Sequence, residues 1–175
     1  HMKPRLLQEI SPALELGRAF ILERYQRSYA PLYLLWRGIG QYILQYPHYR
    51  YLLGPVSLSA QFPDLSRALL IAFLEDKHAD PTWREEIQGR TPYAVPPRYR
   101  QYYYTVSIQS LQDVQELIEE LEGSHIKVPI LIKHYLRMGA RILAFNIDHS
   151  FSDALDILMV TDLLEADPAQ MRKYM

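Results

Sequence analysis

Between Leu14 and Ser59 the hydrophobic period changes twice, and this pattern restricts the fold more than any other feature of the chain. Leu14-Glu15-Leu16-Gly17-Arg18-Ala19-Phe20-Ile21-Leu22, entered after Pro12, mixes alternation with β-forming residues and predicts a strand buried on at least one face. Ser28-Tyr29-Ala30-Pro31 then offers a capping serine and a proline suited to a first helical turn. Leu32, Leu35, Trp36, Ile39, Ile43 and Leu44 follow at helical spacing, and the helix ends near Pro47. Tyr51 to Ser59 reads as a second strand, in which Gly54-Pro55 predicts a bulge or an edge. Strand, helix and strand with short joins make a right-handed crossover, so the two strands are expected to run parallel.

Further on, Asp64 caps a helix reaching about His78. Residues 79–104 carry four prolines and five tyrosines without a steady period and read as a long excursion ordered by contacts. Ser110 opens an amphipathic helix with Leu111, Val114, Leu117, Ile118 and Leu121 on one face, closed by Gly123. A short helix from Pro129 to Met138 stops at Gly139. Strands at about Arg141 to Ile147 and Leu155 to Thr161 follow, joined by the polar turn Asp148-His149-Ser150. The reading is an α/β domain, more fully an α+β arrangement on a mixed sheet.

A chain of 175 residues that is 49% hydrophobic holds one ordinary core. Its formal charge of −1 lacks the clustered basic excess of a nucleic-acid protein, so no nucleic-acid partner is expected. The absence of cysteine removes disulfide scaffolds, thiolate zinc sites and cysteine nucleophiles, and leaves a cytoplasmic location as a prior. The longest apolar run, Pro31 to Leu44, is broken by Trp36-Arg37-Gly38 and Gln41 and falls short of the roughly 20 residues a membrane span needs. His1-Met2 reads as a cloning scar, which makes Lys3 the expected start of a piece cut from a longer parent.

No Gly-x-Ser-x-Gly elbow, phosphate loop, paired-glycine dinucleotide turn or His-Glu-x-x-His helix occurs. The glycerol-phosphate acyltransferase pattern of a histidine and an aspartate with four residues between them is missing too, since only three residues separate His149 from Asp153. His125, His134, His149, Asp148, Asp153 and Asp156 gather near the end. Turn chemistry explains Asp148 and Asp153 better than metal ligation does, Asp156 reads as the start of the last strand, and no metal site is assigned.

One segment carries chemistry. Glu15 and Arg18 lie on the first strand, and Arg24, Gln26, Arg27 and Ser28 stand just before a helix N-terminus, where unpaired amides and the helix dipole favour an anion. Spacing alone leaves Glu15 and Arg18 evenly divided between a structural ion pair and a reactive pair. Ser57, Ser59 and His125 are further candidates for the same cleft, although serines in a bent strand commonly satisfy the backbone.

This strand, polar loop and Pro31-led helix with Leu35-Trp36-Arg37-Gly38-Ile39, followed by Tyr51-Leu52-Leu53-Gly54-Pro55-Val56-Ser57, resemble the ornithine-lipid N-acyltransferases and their hemolysin-named relatives. The resemblance extends to Val128 to Lys133, Tyr135-Leu136, Gly139-Ala140, Phe145 to Asp148 and Leu155 to Val160, and so covers most of the chain. Glu15 with Arg18 also resembles the acidic-then-arginine strand of acyl-homoserine-lactone synthases.

The resemblance implies a GNAT-like domain over residues 3–175, lacking its N-terminal strands, with a helical insertion over residues 60–124. It implies transfer of a fatty acyl group from acyl carrier protein, or CoA, to the amine of an amino acid such as ornithine or glycine, with no tightly bound cofactor. Glu15 and Arg18 would be catalytic; Arg24, Gln26, Arg27, Ser28, Ser57, Ser59 and His125 would bind the donor. In such folds two central strands splay and the pantetheine arm slots between them. The loop from Arg24 to Ala30 has no glycine, which favours a carrier protein's single phosphate over a wrapped CoA pyrophosphate. Arg24, Arg27, Arg37, His48 and Arg50 would offer charge to an acidic carrier.

The competing reading is a non-catalytic module that binds a carrier protein, a partner domain or a membrane surface. Tyr99, Tyr102, Tyr103 and Tyr104 beside Arg98 and Arg100 suit peripheral membrane contact, and equally packing or a dimer. No pore-forming pattern accompanies the hemolysin label.

Overall fold

The structure is a computed structural model and describes residues 2–17, 21–25 and 28–173. A short helix α1 (Pro4–Glu9) leads to strand β1 (Ala13–Glu15), helix α2 (Tyr29–Gln45), strand β2 (Tyr51–Leu58) and helix α3 (Asp64–His78). Helices α4 (Pro97–Thr105), α5 (Leu111–Glu122) and α6 (Ile130–Arg137) follow, then strands β3 (Arg141–Asp148) and β4 (Ala154–Asp162) and helix α7 (Pro168–Met171). The sheet order is β1-β2-β4-β3. β1 and β2 pair in parallel, as the crossover requires, and β4 runs antiparallel to both β2 and β3.

The core lies on the sheet face that carries Val56, Leu58, Ile142, Leu155, Ile157 and Met159, with α3 at its centre. Every residue of α3 from Ala68 to Leu74 is buried, as expected for a helix packed on all sides. Trp36 of α2, Ile118 of α5 and Ile132 of α6 close over it. The opposite face is covered over part of its length, where Leu6 and Ile10 of the α1 segment pack on Tyr51, Leu143 and Val160.

Helix α5 begins and ends as its residues require. The Asp113 amide donates to the Ser110 hydroxyl at 3.2 Å, the Ser110 amide donates to the Asp113 carboxylate at 2.8 Å, and Gly123 ends the helix at φ 89°. Two expected caps differ. Pro63 holds the cap position of α3, while Asp64 sits in the first turn and pairs with Arg67. Ser28 does cap α2 by position, but its hydroxyl makes no capping bond.

Two larger departures have tertiary causes. The expected strand from Leu14 to Leu22 stops at Glu15 among the described residues, and Glu23–Tyr25 form a 3-10 turn. Residues 79–104 contain most of α4, a helix no period announced. Pro97 opens it, and Tyr103 is buried against α3 with its hydroxyl donating to Asp76 at 3.0 Å. Tyr104 beside it is 66% exposed, so the tyrosines divide between packing and surface.

Arg50 and Asp162 staple the start of β2 to the end of β4: Arg50 Nε donates to both carboxylate oxygens at 3.0 Å and Nη2 to Oδ2 at 2.5 Å. Burial favours the neutral acid, but the bonds from Arg50 and the Leu164 amide outweigh it and hold the Asp162 carboxyl below its ordinary value. A carboxyl whose pKa folding lowers adds stability above its unfolded value of about 3.9 and loses it as pH falls through the folded value. Asp162→Asn is therefore expected to lower stability at neutral pH and to flatten the acid limb below about pH 4, read as urea midpoints. Parallel curves for the two proteins would contradict this.

Candidate functional site

The parallel ladder between β1 and β2 is three residues long, Ala13 to Tyr51, Leu14 to Leu52 and Glu15 to Leu53. Beyond it the Leu16 amide donates to the Leu53 carbonyl at 2.7 Å, and among the described residues no β1 pairing reaches Pro55 or Ser57. The backbone groups of a strand alternate between its two sides, so Pro55 and Ser57 face the β1 side with Leu53, while Leu52, Gly54, Val56 and Leu58 bond to β4. Proline has no N–H to continue the parallel ladder. The same proline costs the β4 side nothing, which is why β2 pairs with β4 from Tyr51 to Leu58 without a register shift. Of the bulge or edge expected at Gly54-Pro55, the bulge is absent from the β2–β4 ladder, and the sheet's register shift falls between Ile142 and Ala144 of β3.

Gly54 sits at the point of parting. A Cβ there would lie 2.5 Å from the Leu16 carbonyl oxygen, so a side chain must push β1 away. Gly54→Val is expected to destabilise the protein by about 1–3 kcal/mol and to expose β1 to amide exchange. Wild-type protection at Leu14 and Leu16 in the variant would argue against the contact.

Paired residues share a face, so Glu15, Leu53, Pro55 and Ser57 point to one side of the sheet. Pro55 and Ser57 are exposed, and the Ser57 hydroxyl donates to the Asp156 carboxylate of β4 at 2.6 Å. Glu15 is exposed at the end of β1, and its carboxylate turns along its own chain to within 3.4 Å of a Cβ built on Gly17. Ser57 stands four positions beyond Leu53 along β2, roughly 13 Å at the usual rise. The result is a fork, with an acid on one prong and a serine–aspartate pair further along the other.

The remaining candidates divide. Arg18, Gln26 and Arg27 lie outside the described residues. Arg24 is exposed in the 3-10 turn, its guanidinium 4.9 Å from the Tyr25 ring centre. Ser59 builds the turn into α3, its hydroxyl accepting from the Gln61 amide at 3.2 Å and its carbonyl from Phe62 at 3.0 Å. His125 is exposed in the loop after α5 beside Gly123, and no described contact joins it or Ser59 to Glu15. Of the charges expected to face a carrier, Arg37 is exposed on α2, whereas Arg50 is engaged by Asp162. Asp156 was legible only as the opening of a strand; no local signal says that it meets a serine 99 positions earlier.

Among the described residues no three of His, Asp and Glu gather as metal ligands. Asp148 accepts from the Ser150 amide at 2.8 Å, the turn chemistry its type suggests, and His149 Nδ1 meets Asp153 Oδ1 at 2.6 Å on an open surface. His134 is buried near Trp36, and burial, then Arg137 and Lys173, lower its pKa. Among the described residues no helix is long and apolar enough to cross a membrane. Compared with protein-family models, curated proteins and solved structures, the chain matches none.

Proposed function

We propose that the protein is an N-acyltransferase with a GNAT-like sheet, moving a fatty acyl group from acyl carrier protein, or CoA, to the amine of an amino acid such as ornithine or glycine. The fork between β1 and β2 carries this reading. Among the described residues, β2 beyond Leu53 presents the Pro55 carbonyl and the Ser57 amide and carbonyl without a β1 partner. An amide-bearing pantetheine arm can add to such an edge as a strand would, which aims its thioester at the acid at the parting point. There the amine nitrogen attacks the thioester carbon, the C–S bond breaks and the thiol leaves. Glu15 accepts the ammonium proton, and backbone amides at the fork serve the developing oxyanion. The glycine-free loop from Arg24 to Ala30 favours the carrier protein's single phosphate as the donor's anchor.

A second reading, a binding module without turnover, draws on α2. Leu34 is 61% exposed and Leu44 52%, apolar surface that an interface would cover. Lipid mass spectrometry of a host that makes no aminolipids, with and without the expressed protein, separates the two. New N-acylated amino acids are expected; their absence from cells holding folded protein would overturn acyl transfer and leave the binding module.

A further inference from the structure

We propose a second ligand site, for an organic anion carrying an apolar group, in the pocket where the end of α3 meets the start of α5 and the end of α6. The pocket holds about 520 Å³, within the range of small-molecule sites. Phe73, Leu111 and Leu136 supply an apolar wall, and Lys77, His78, Lys133 and Arg137 supply the basic one. No carboxylate lines it.

Of the nearby acids, Asp76 offsets Lys77 at 3.1 Å and accepts from Tyr103 at 3.0 Å, which leaves Lys133 and Arg137 as the pocket's working cations, and Asp113 takes the Gln109 and Ser110 amides at 2.8 Å each. Lys133 donates to the neutral amide oxygen of Gln115 at 3.1 Å, and Arg137 has no carboxylate partner among the described residues. Burial, then Arg137 and Lys127, hold the Lys133 ammonium below its ordinary pKa, with Glu119 opposing. Crowding cations beside apolar surface is unfavourable in the empty pocket, and an oxyanion head placed between Lys133 and Arg137 reverses that sign. Phe73, Leu111 and Leu136 then take the ligand's apolar part out of water. None of its lining residues belongs to β1 or β2, and the site stands whether or not the fork transfers acyl groups.

Calorimetric titration of the protein tests it, with octyl phosphate and octanoate below their micelle concentrations, inorganic phosphate and octylammonium. At least one of the two octyl anions is expected to bind at least tenfold more tightly than inorganic phosphate, octylammonium not to bind, and added salt to weaken the complex. Which anion binds tighter identifies the head as phosphate or carboxylate. Lys133→Gln with Arg137→Gln should weaken binding at least tenfold while the ligand-free protein keeps its fold; should the pair misfold, the exposed Arg137→Gln alone serves. Equal binding of octylammonium, equal binding of inorganic phosphate, unchanged affinity in the variant, or no binding of either octyl anion would each overturn the proposal.

Discussion

Changing Glu15 to glutamine is expected to slow acyl transfer by about 10²–10⁴-fold, the usual contribution of a positioned general base. Glutamine keeps the size and hydrogen-bonding reach of the side chain but accepts no proton at neutral pH. Because Glu15 is exposed and ends a three-residue strand, the change should leave folding intact, so lost rate reports chemistry. If the carboxylate acts as base, kcat falls and the acid limb of its pH profile disappears. If it only holds the amine, KM for the acceptor rises and kcat remains. Glu23→Gln, an equal change of charge in the next turn, is the control and should stay close to wild type. Glu15→Gln retaining full activity would remove Glu15 from the mechanism.

Phe73→Ala carries the largest expected loss of stability, about 3–5 kcal/mol. Phe73 is 1% exposed, and its ring meets the His78 ring edge-on at 5.4 Å. Truncation loses the transfer free energy of the ring and leaves a cavity in a helix packed on all sides, which can collapse only in part. In a chain of this length the loss corresponds to a melting temperature lower by about 6–20 °C. Leu164→Ala is the contrast: at 77% exposure it should stay within about 0.5 kcal/mol of wild type. A Phe73→Ala effect no larger than that of Leu164→Ala would mean that α3 is not the centre of the core.

The elements whose signals are local could be read from the residues. The helix α5 declares itself through Ser110, its apolar stripe and Gly123, and the order strand, helix, strand from residue 13 to 58 required β1 and β2 to be parallel. The length of β1 was not legible, because Leu16 to Leu22 keep the residue types of a strand whether or not a neighbour is there to bond. α4 was hidden for the opposite reason: its tyrosines and arginines have no helical stripe, and the helix depends on Tyr103 and Arg100 reaching Asp76 and Glu75 of α3. Of the candidate site, Glu15 and Ser57 reach one face of the sheet, whereas Ser59 and His125 serve turns.

By itself the sequence determined the succession of periods, the helix α5 with its two ends, the parallel sense of the crossover and the polar turn between β3 and β4. Each of these is set by residues within a few turns of one another. Only the tertiary structure decided which side of β2 pairs with β4. Pro55 shows that one N–H is missing, but the side it is missing from depends on β4 claiming the alternate positions about a hundred residues later. The same pairing sets Asp156 against Ser57, while the β1–β2 ladder ends at Glu15 among the described residues.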